Sequence, residues 1–141
     1  MTTVEICGGA SIISLVIAMT DAKKRILWVE DEETLLVLLR RILGAEGYEV
    51  ETAVNGQEAI DILKDRQFDL VGTDIKMDYV DGMELSRHIR ETYPEIPILV
   101  LSGYGDGSIE EELISMGVKA FIAKPFSVDE LLQQVAEHLS A

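Results

Sequence analysis

Glu30 with Asp31, then Asp74, Ser102 and Lys124, each stand at the end of a short apolar run: Ile26-Leu27-Trp28-Val29, Phe68 to Thr73, Ile98-Leu99-Val100-Leu101 and Ala120-Phe121-Ile122-Ala123. Three carboxylates gathered at one place repel, and they stay ionised together only around a shared cation. With no His or Cys among them the donors are hard oxygens. Such a set suits Mg2+, which takes one or two carboxylates, a backbone carbonyl and several waters. A metal site with open positions also accepts a phosphoryl oxygen. Lys124 would bring a second positive charge to that group, and Asp74 is the natural nucleophile at the focus.

These residues meet only if the runs are neighbouring strands. From Arg25 onward the short apolar runs alternate with amphipathic segments of helical length, the pattern of repeated βαβ units and a parallel sheet. Leu35, Leu36, Leu38, Leu39, Ile42 and Leu43 recur at helical spacing until Gly44. Tyr48 to Val54 reads as a weaker strand, and Asn55 with Glu58 can cap a helix carrying Ala59, Ile60 and Leu63. Phe68 to Thr73 reads as a strand covered on both faces. Gly82 opens a helix that Pro94 and Pro97 close. Ser108 with Glu111 and Ser127 with Glu130 have capping-box spacing for two more helices, the first stopping near Gly117. The expected architecture is therefore α/β, with five strands and five helices. In an open parallel sheet, ligands bind outside the carboxyl ends of the strands, where these polar residues fall.

Composition limits the partners. The chain has 141 residues, enough for one ordinary domain, with 26 acidic against 12 basic side chains and a net charge of -14. That excess repels nucleic acid and anionic lipid, so neither direct nucleic acid binding nor membrane association is expected. The single cysteine, Cys7, excludes an intrachain disulfide and fits a reducing cytoplasm. Residues 1–22 lack Lys and Arg, and Ile6 to Thr20 is uncharged. The stretch lacks the basic start of a secretory signal and the roughly 20 apolar residues of a membrane span. Three readings stay open for it: a loosely docked extension, an extra element over an apolar patch, or a start misassigned ahead of Met19. In each, 1–22 is an appendage and 23–141 the working domain. Without Glu5 and Asp21, the 26 acidic residues become 24 against 12, so the domain itself carries -12.

Five features in order (Val29-Glu30-Asp31, Asp74, Met77 with Asp81-Gly82, Leu101-Ser102-Gly103, and Ala123-Lys124-Pro125-Phe126) resemble the response regulator receiver domain of two-component phosphorelays, over about Lys23 to Ala141. The resemblance implies a flavodoxin-like (βα)5 sandwich with strand order 2-1-3-4-5. It implies a phosphoacceptor, Asp74, charged by the phosphohistidine of a sensor histidine kinase or phosphotransfer protein. Asp31 and Asp74 would bind Mg2+ through side chains, Glu30 through water and Lys76 through its backbone carbonyl. Ser102 would turn toward the phosphoryl group, Lys124 would pair with it, and Phe121 would be the aromatic switch. Lys124-Pro125 would be cis. The output would be a change in partner binding by a stand-alone cytoplasmic regulator, monomeric or dimerising on phosphorylation, and not an enzymatic turnover.

Two positions depart from the common family pattern. Glu-Asp stands where Asp-Asp is frequent, and Asp78 stands where proline usually follows the methionine. A docking module that works without phosphorylation is the main alternative, motivated by Asp78 alone. A small aspartyl-phosphate phosphotransferase or phosphatase commonly needs a carboxylate two residues after its nucleophile, where this chain has Lys76. A flavin carrier needs a phosphate-cradling loop where Glu30-Asp31-Glu32-Glu33 stand. His88 and His138 have no acidic or cysteine partners at ligand spacing and are expected at the surface, with Trp28 in the core.

Overall fold

The computed structural model describes residues 5–6, 10–11, 23–75, 82–103, 107–118 and 120–139. Five parallel strands form one sheet: β1 (Arg25–Val29), β2 (Glu49–Ala53), β3 (Leu70–Asp74), β4 (Ile98–Ser102) and β5 (Ala120–Ala123), in the order β2-β1-β3-β4-β5. Between and after them run α1 (Glu33–Ala45), α2 (Gly56–Asp65), α3 (Gly82–Thr92), α4 (Gly107–Ser115) and α5 (Val128–Leu139). Glu5–Ile6 and Ala10–Ser11 pair as a separate short antiparallel ladder.

Strand alternation divides the core into two layers. Leu27, Val29, Val71 and Val100 meet Ala59 and Leu63 of α2, Leu85 and Ile89 of α3 and Leu113 of α4. Ile26, Trp28, Leu70, Leu99 and Leu101 meet Leu36, Leu39 and Leu43 of α1 and Leu131 and Val135 of α5. Central strands β3 and β4 are buried at every residue, which is why their sequences lack the apolar–polar alternation of a half-exposed strand. Edge strand β2, Glu-Val-Glu-Thr-Ala, is mostly half-exposed, and its charges blunt an otherwise pairable edge.

Helix ends follow local chemistry. Asn55 accepts the Glu58 N–H at 2.8 Å and Ser127 accepts the Glu130 N–H at 3.1 Å, capping α2 and α5. Three expectations are corrected. Ser108 lies inside α4, which already starts at Gly107, so it cannot be that helix's cap. Gly44 does not end α1. The helix runs on to Ala45, and Gly47, at φ 94°, turns the chain with its N–H on the Gly44 carbonyl. His88 and His138 are half-buried instead of exposed. His88 stands edge-on to Tyr93, and His138 Nδ1 lies 2.8 Å from the Gln134 carbonyl. Trp28 is fully buried.

Trp28 and Gly72 face each other across β1 and β3, and a Cβ at Gly72 would stand 2.6 Å from Trp28 Cδ2. The indole occupies the space a side chain would take. Gly72→Ala is expected to destabilise the fold by about 1–3 kcal/mol, toward the upper end because the ring is enclosed. The check is a lower urea midpoint at unchanged m-value.

Candidate functional site

Parallel pairing brings the carboxyl ends of β1, β3, β4 and β5 to one edge of the sheet, and each delivers one polar group. The Glu30 N–H continues the ladder onto the Ala53 carbonyl at 3.0 Å, which holds Glu30 at the end of β1 with 1% of its surface exposed. Asp74, the last residue of β3, is 8% exposed. The Lys124 N–H donates to the Ser102 carbonyl at 2.8 Å, extending the β4–β5 ladder one residue past the strand. The Lys124–Pro125 peptide is cis. Lys124 Nζ donates to Asp74 Oδ2 at 2.6 Å and lies 3.9 Å from Glu30 Oε2.

Exposed Asp31 joins the two buried carboxylates at this edge: Glu30, Asp31 and Asp74 each offer a carboxylate oxygen within 4.8 Å of the others. Glu30 Oε1 accepts the Glu32 N–H at 3.4 Å, whereas its buried Oε2 has no hydrogen-bond donor. A buried carboxylate oxygen without a donor, beside two further carboxylates, is the chemistry of a hard-cation site, and the donor set fits Mg2+. Burial, and then the charge of Asp74, push the Glu30 carboxyl up from its ordinary 4.5 to about 8, with Lys124 opposing. For Lys124, burial pulls downward, but the hydrogen bond it donates to Asp74 and the charges of Glu30, Asp74 and Glu32 outweigh it and hold the ammonium above 10.5.

The Glu30 shift carries a sign. Without metal, the folded chain holds a proton on Glu30 between about pH 4.5 and 8 that the unfolded chain has released. Stability of the metal-free protein therefore falls as pH rises through that window, by at most about 1.4 kcal/mol per pH unit. A Mg2+ ion held at this cluster would require the ionised carboxylate, so any stabilisation it brings would grow over the same range. Urea midpoints from pH 5.5 upward, with chelator and with Mg2+, are expected to diverge progressively.

Ser102 is buried at the end of β4, and Phe121, opposite Val100 on β5, is half-buried against the layer containing Val100 and Leu113. Thus Glu30, Asp31, Asp74, Ser102 and Lys124 share one edge, while Phe121 lies back along β5. Lys76, Met77, Asp78, Asp81, Tyr104 and Cys7 lie outside the described residues. Two features escaped sequence reasoning. One is the approach of Lys124 to Glu30, which spacing along the chain does not encode. The other is Gly82, whose position directly on the Asp74 backbone was hinted at only by the Asp81-Gly82 dipeptide. A hollow of about 580 Å³ beside Leu63, Phe68, Tyr93 and Ile96 lies at the opposite, amino-terminal edge.

Residues 26–136 match the response regulator receiver domain family. The chain belongs to that family. The receiver domain is 31% identical over 116 residues to sporulation initiation phosphotransferase F of Bacillus subtilis, covering 82% of this chain and 94% of that protein. It is 35% identical over 121 residues to the transcriptional regulatory protein GlrR of Escherichia coli, covering 86% of this chain but 27% of that one. The chain spans 27% to 50% of the length of the GlrR, MprA and PhoB relatives it matches. Among solved structures, a CheY-like receiver domain protein from Methanospirillum hungatei superposes with a TM-score of 0.81 at 31% identity, covering 84% of this chain and 95% of that one. The receiver is a signalling domain of two-component systems. Among its described residues no helix is long and apolar enough to cross a membrane.

Proposed function

We propose that this receiver domain is a phosphorylation switch in which an Asp74 carboxylate oxygen takes a phosphoryl group from the phosphohistidine of a sensor kinase or phosphotransfer protein. The P–N bond to histidine breaks as the P–O bond to Asp74 forms, and the departing imidazole takes up a proton. What supports this most is one arrangement: Asp74 at the focus of the sheet edge, 2.6 Å from the Lys124 ammonium and clustered with two further carboxylates.

Asp31 and Asp74 would hold Mg2+ directly, with Glu30 acting through water and Lys76 through its carbonyl. An ion held by these residues would neutralise charge on the phosphoryl oxygens. Lys124 supplies the second cation and orients Asp74 before transfer. Phosphorylation exchanges one negative charge for about two and adds three acceptor oxygens. The Ser102 hydroxyl gains an acceptor within its reach, the loop after β4 follows, and Phe121 turns inward, altering the surface of α4, β5 and α5. Such coupling is typically about 1–3 kcal/mol, enough to change partner affinity about 5- to 150-fold. The output is a binding preference in the cytoplasm.

Intact mass after incubation with acetyl phosphate tests the reading. One added phosphoryl group with Mg2+, and none with chelator, is expected. No gain in either condition would replace the switch by a docking module that works without phosphorylation.

A further inference from the structure

Helix α3 begins on the backbone of Asp74. The Gly82 N–H donates to the Ile75 carbonyl at 2.9 Å. A Cβ at Gly82 would overlap the Asp74 carbonyl oxygen and stand 2.7 Å from Ile75 Cα and 3.0 Å from the Asp74 carbonyl carbon. All three neighbours are backbone atoms, which cannot swing aside as the end of a flexible side chain does. Behind Gly82 the helix is anchored by Leu85 and Ile89, both fully buried. On its other side the Asp74 peptide is held by the pairing of β3 with β4 and by the Thr73 hydroxyl, which donates to the Asp74 carbonyl at 2.9 Å. Gly44, Gly47 and Gly107, by contrast, have open space where a side chain would go. The bare α-carbon of Gly82 is therefore a requirement of this contact and not a general feature of the chain's glycines.

We propose that Gly82 is a positioning residue for the acidic site: its missing side chain lets α3 close onto the Asp74 peptide, which sets where the Asp74 carboxylate stands relative to Lys124, Glu30 and Asp31. The kinetic part of this inference rests on Asp74 being the phosphoacceptor, and the metal-binding part does not. A methyl group at Gly82 forces apart two backbone segments that are each held from behind. The displacement then reaches the carboxylate, where an error of about an ångström can cost about 100-fold in rate.

The test compares wild type, Gly82→Ala and Ile89→Val, the last loosening the same helix without touching Asp74, at a temperature where circular dichroism finds all three folded. Gly82→Ala is expected to gain a phosphoryl group from acetyl phosphate about 100-fold more slowly, and to bind Mg2+ alone about tenfold more weakly by calorimetry. Ile89→Val is expected to match wild type in both. A folded Gly82→Ala with wild-type rate and Mg2+ affinity would overturn the proposal. If wild type gains no phosphoryl group, the phosphoacceptor reading fails, and the Mg2+ affinities still decide the role of Gly82. If Gly82→Ala does not fold, the wild-type amide resonances decide it: Mg2+ should move Gly82 more than Gly117, and an unmoved Gly82 would overturn the proposal.

Discussion

Asp74→Asn is expected to abolish phosphoryl uptake from acetyl phosphate while leaving the fold intact. The amide nearly matches the carboxylate in shape but has no nucleophilic oxygen anion, so no acyl phosphate forms. Folding survives because Lys124, whose side chain is 31% exposed, keeps solvent and Glu30 as partners. Intact mass should register no addition even at saturating Mg2+, and circular dichroism should match wild type. A second consequence separates this variant from a damaged fold. Burial, the larger cause of the raised Glu30 carboxyl, remains, but the opposing charge of Asp74 is gone, so the carboxyl drops below about 8. The pH dependence of stability in the metal-free protein should flatten accordingly. A variant that kept the wild-type slope, or that still gained a phosphoryl group, would contradict the assignment of Asp74.

Lys124→Met is expected to slow phosphoryl uptake by about 100- to 1,000-fold, the usual range for removing one preorganised donor from a developing charge. Methionine keeps the length and apolar stem of the side chain and removes only the ammonium, which stands 2.6 Å from Asp74. Metal binding should move the other way. Lys124 and Mg2+ compete for the same carboxylates, so deleting the ammonium leaves more negative charge for the ion, and Mg2+ affinity should rise. Loss of rate together with tighter Mg2+ binding is a signature that general unfolding does not produce. Parallel losses in both would mean that Lys124 supports the site's structure instead of its charge balance.

The chain alone determined the element sequence and which polar residues close the strands at the candidate site. β3 and β4 are buried on both faces, so apolar residues stand side by side in each instead of alternating, and each ends in a polar residue at the strand's carboxyl end. α1 and α5 carry wide apolar stripes that settle which side of each helix meets the sheet. Asn55 and Ser127 were readable as caps because a cap is a local hydrogen bond. Ser108 was misread because its spacing to Glu111 is present although the helix already begins at Gly107.

Tertiary structure decided what depends on distance between segments far apart in sequence. That β1 lies between β2 and β3 comes from pairing, which no local pattern specifies. Lys124 and Asp74 are 50 residues apart, yet cis Pro125 and the ladder bond to Ser102 accompany an approach to 2.6 Å. The raised Glu30 carboxyl follows from burial and from the nearby Asp74, and neither can be read from a Glu-Asp pair in a string. Gly82 reads in sequence as an ordinary helix opener. Only the packed chain makes it the point where α3 rests on the Asp74 peptide, because steric exclusion acts between backbones and leaves no periodicity behind.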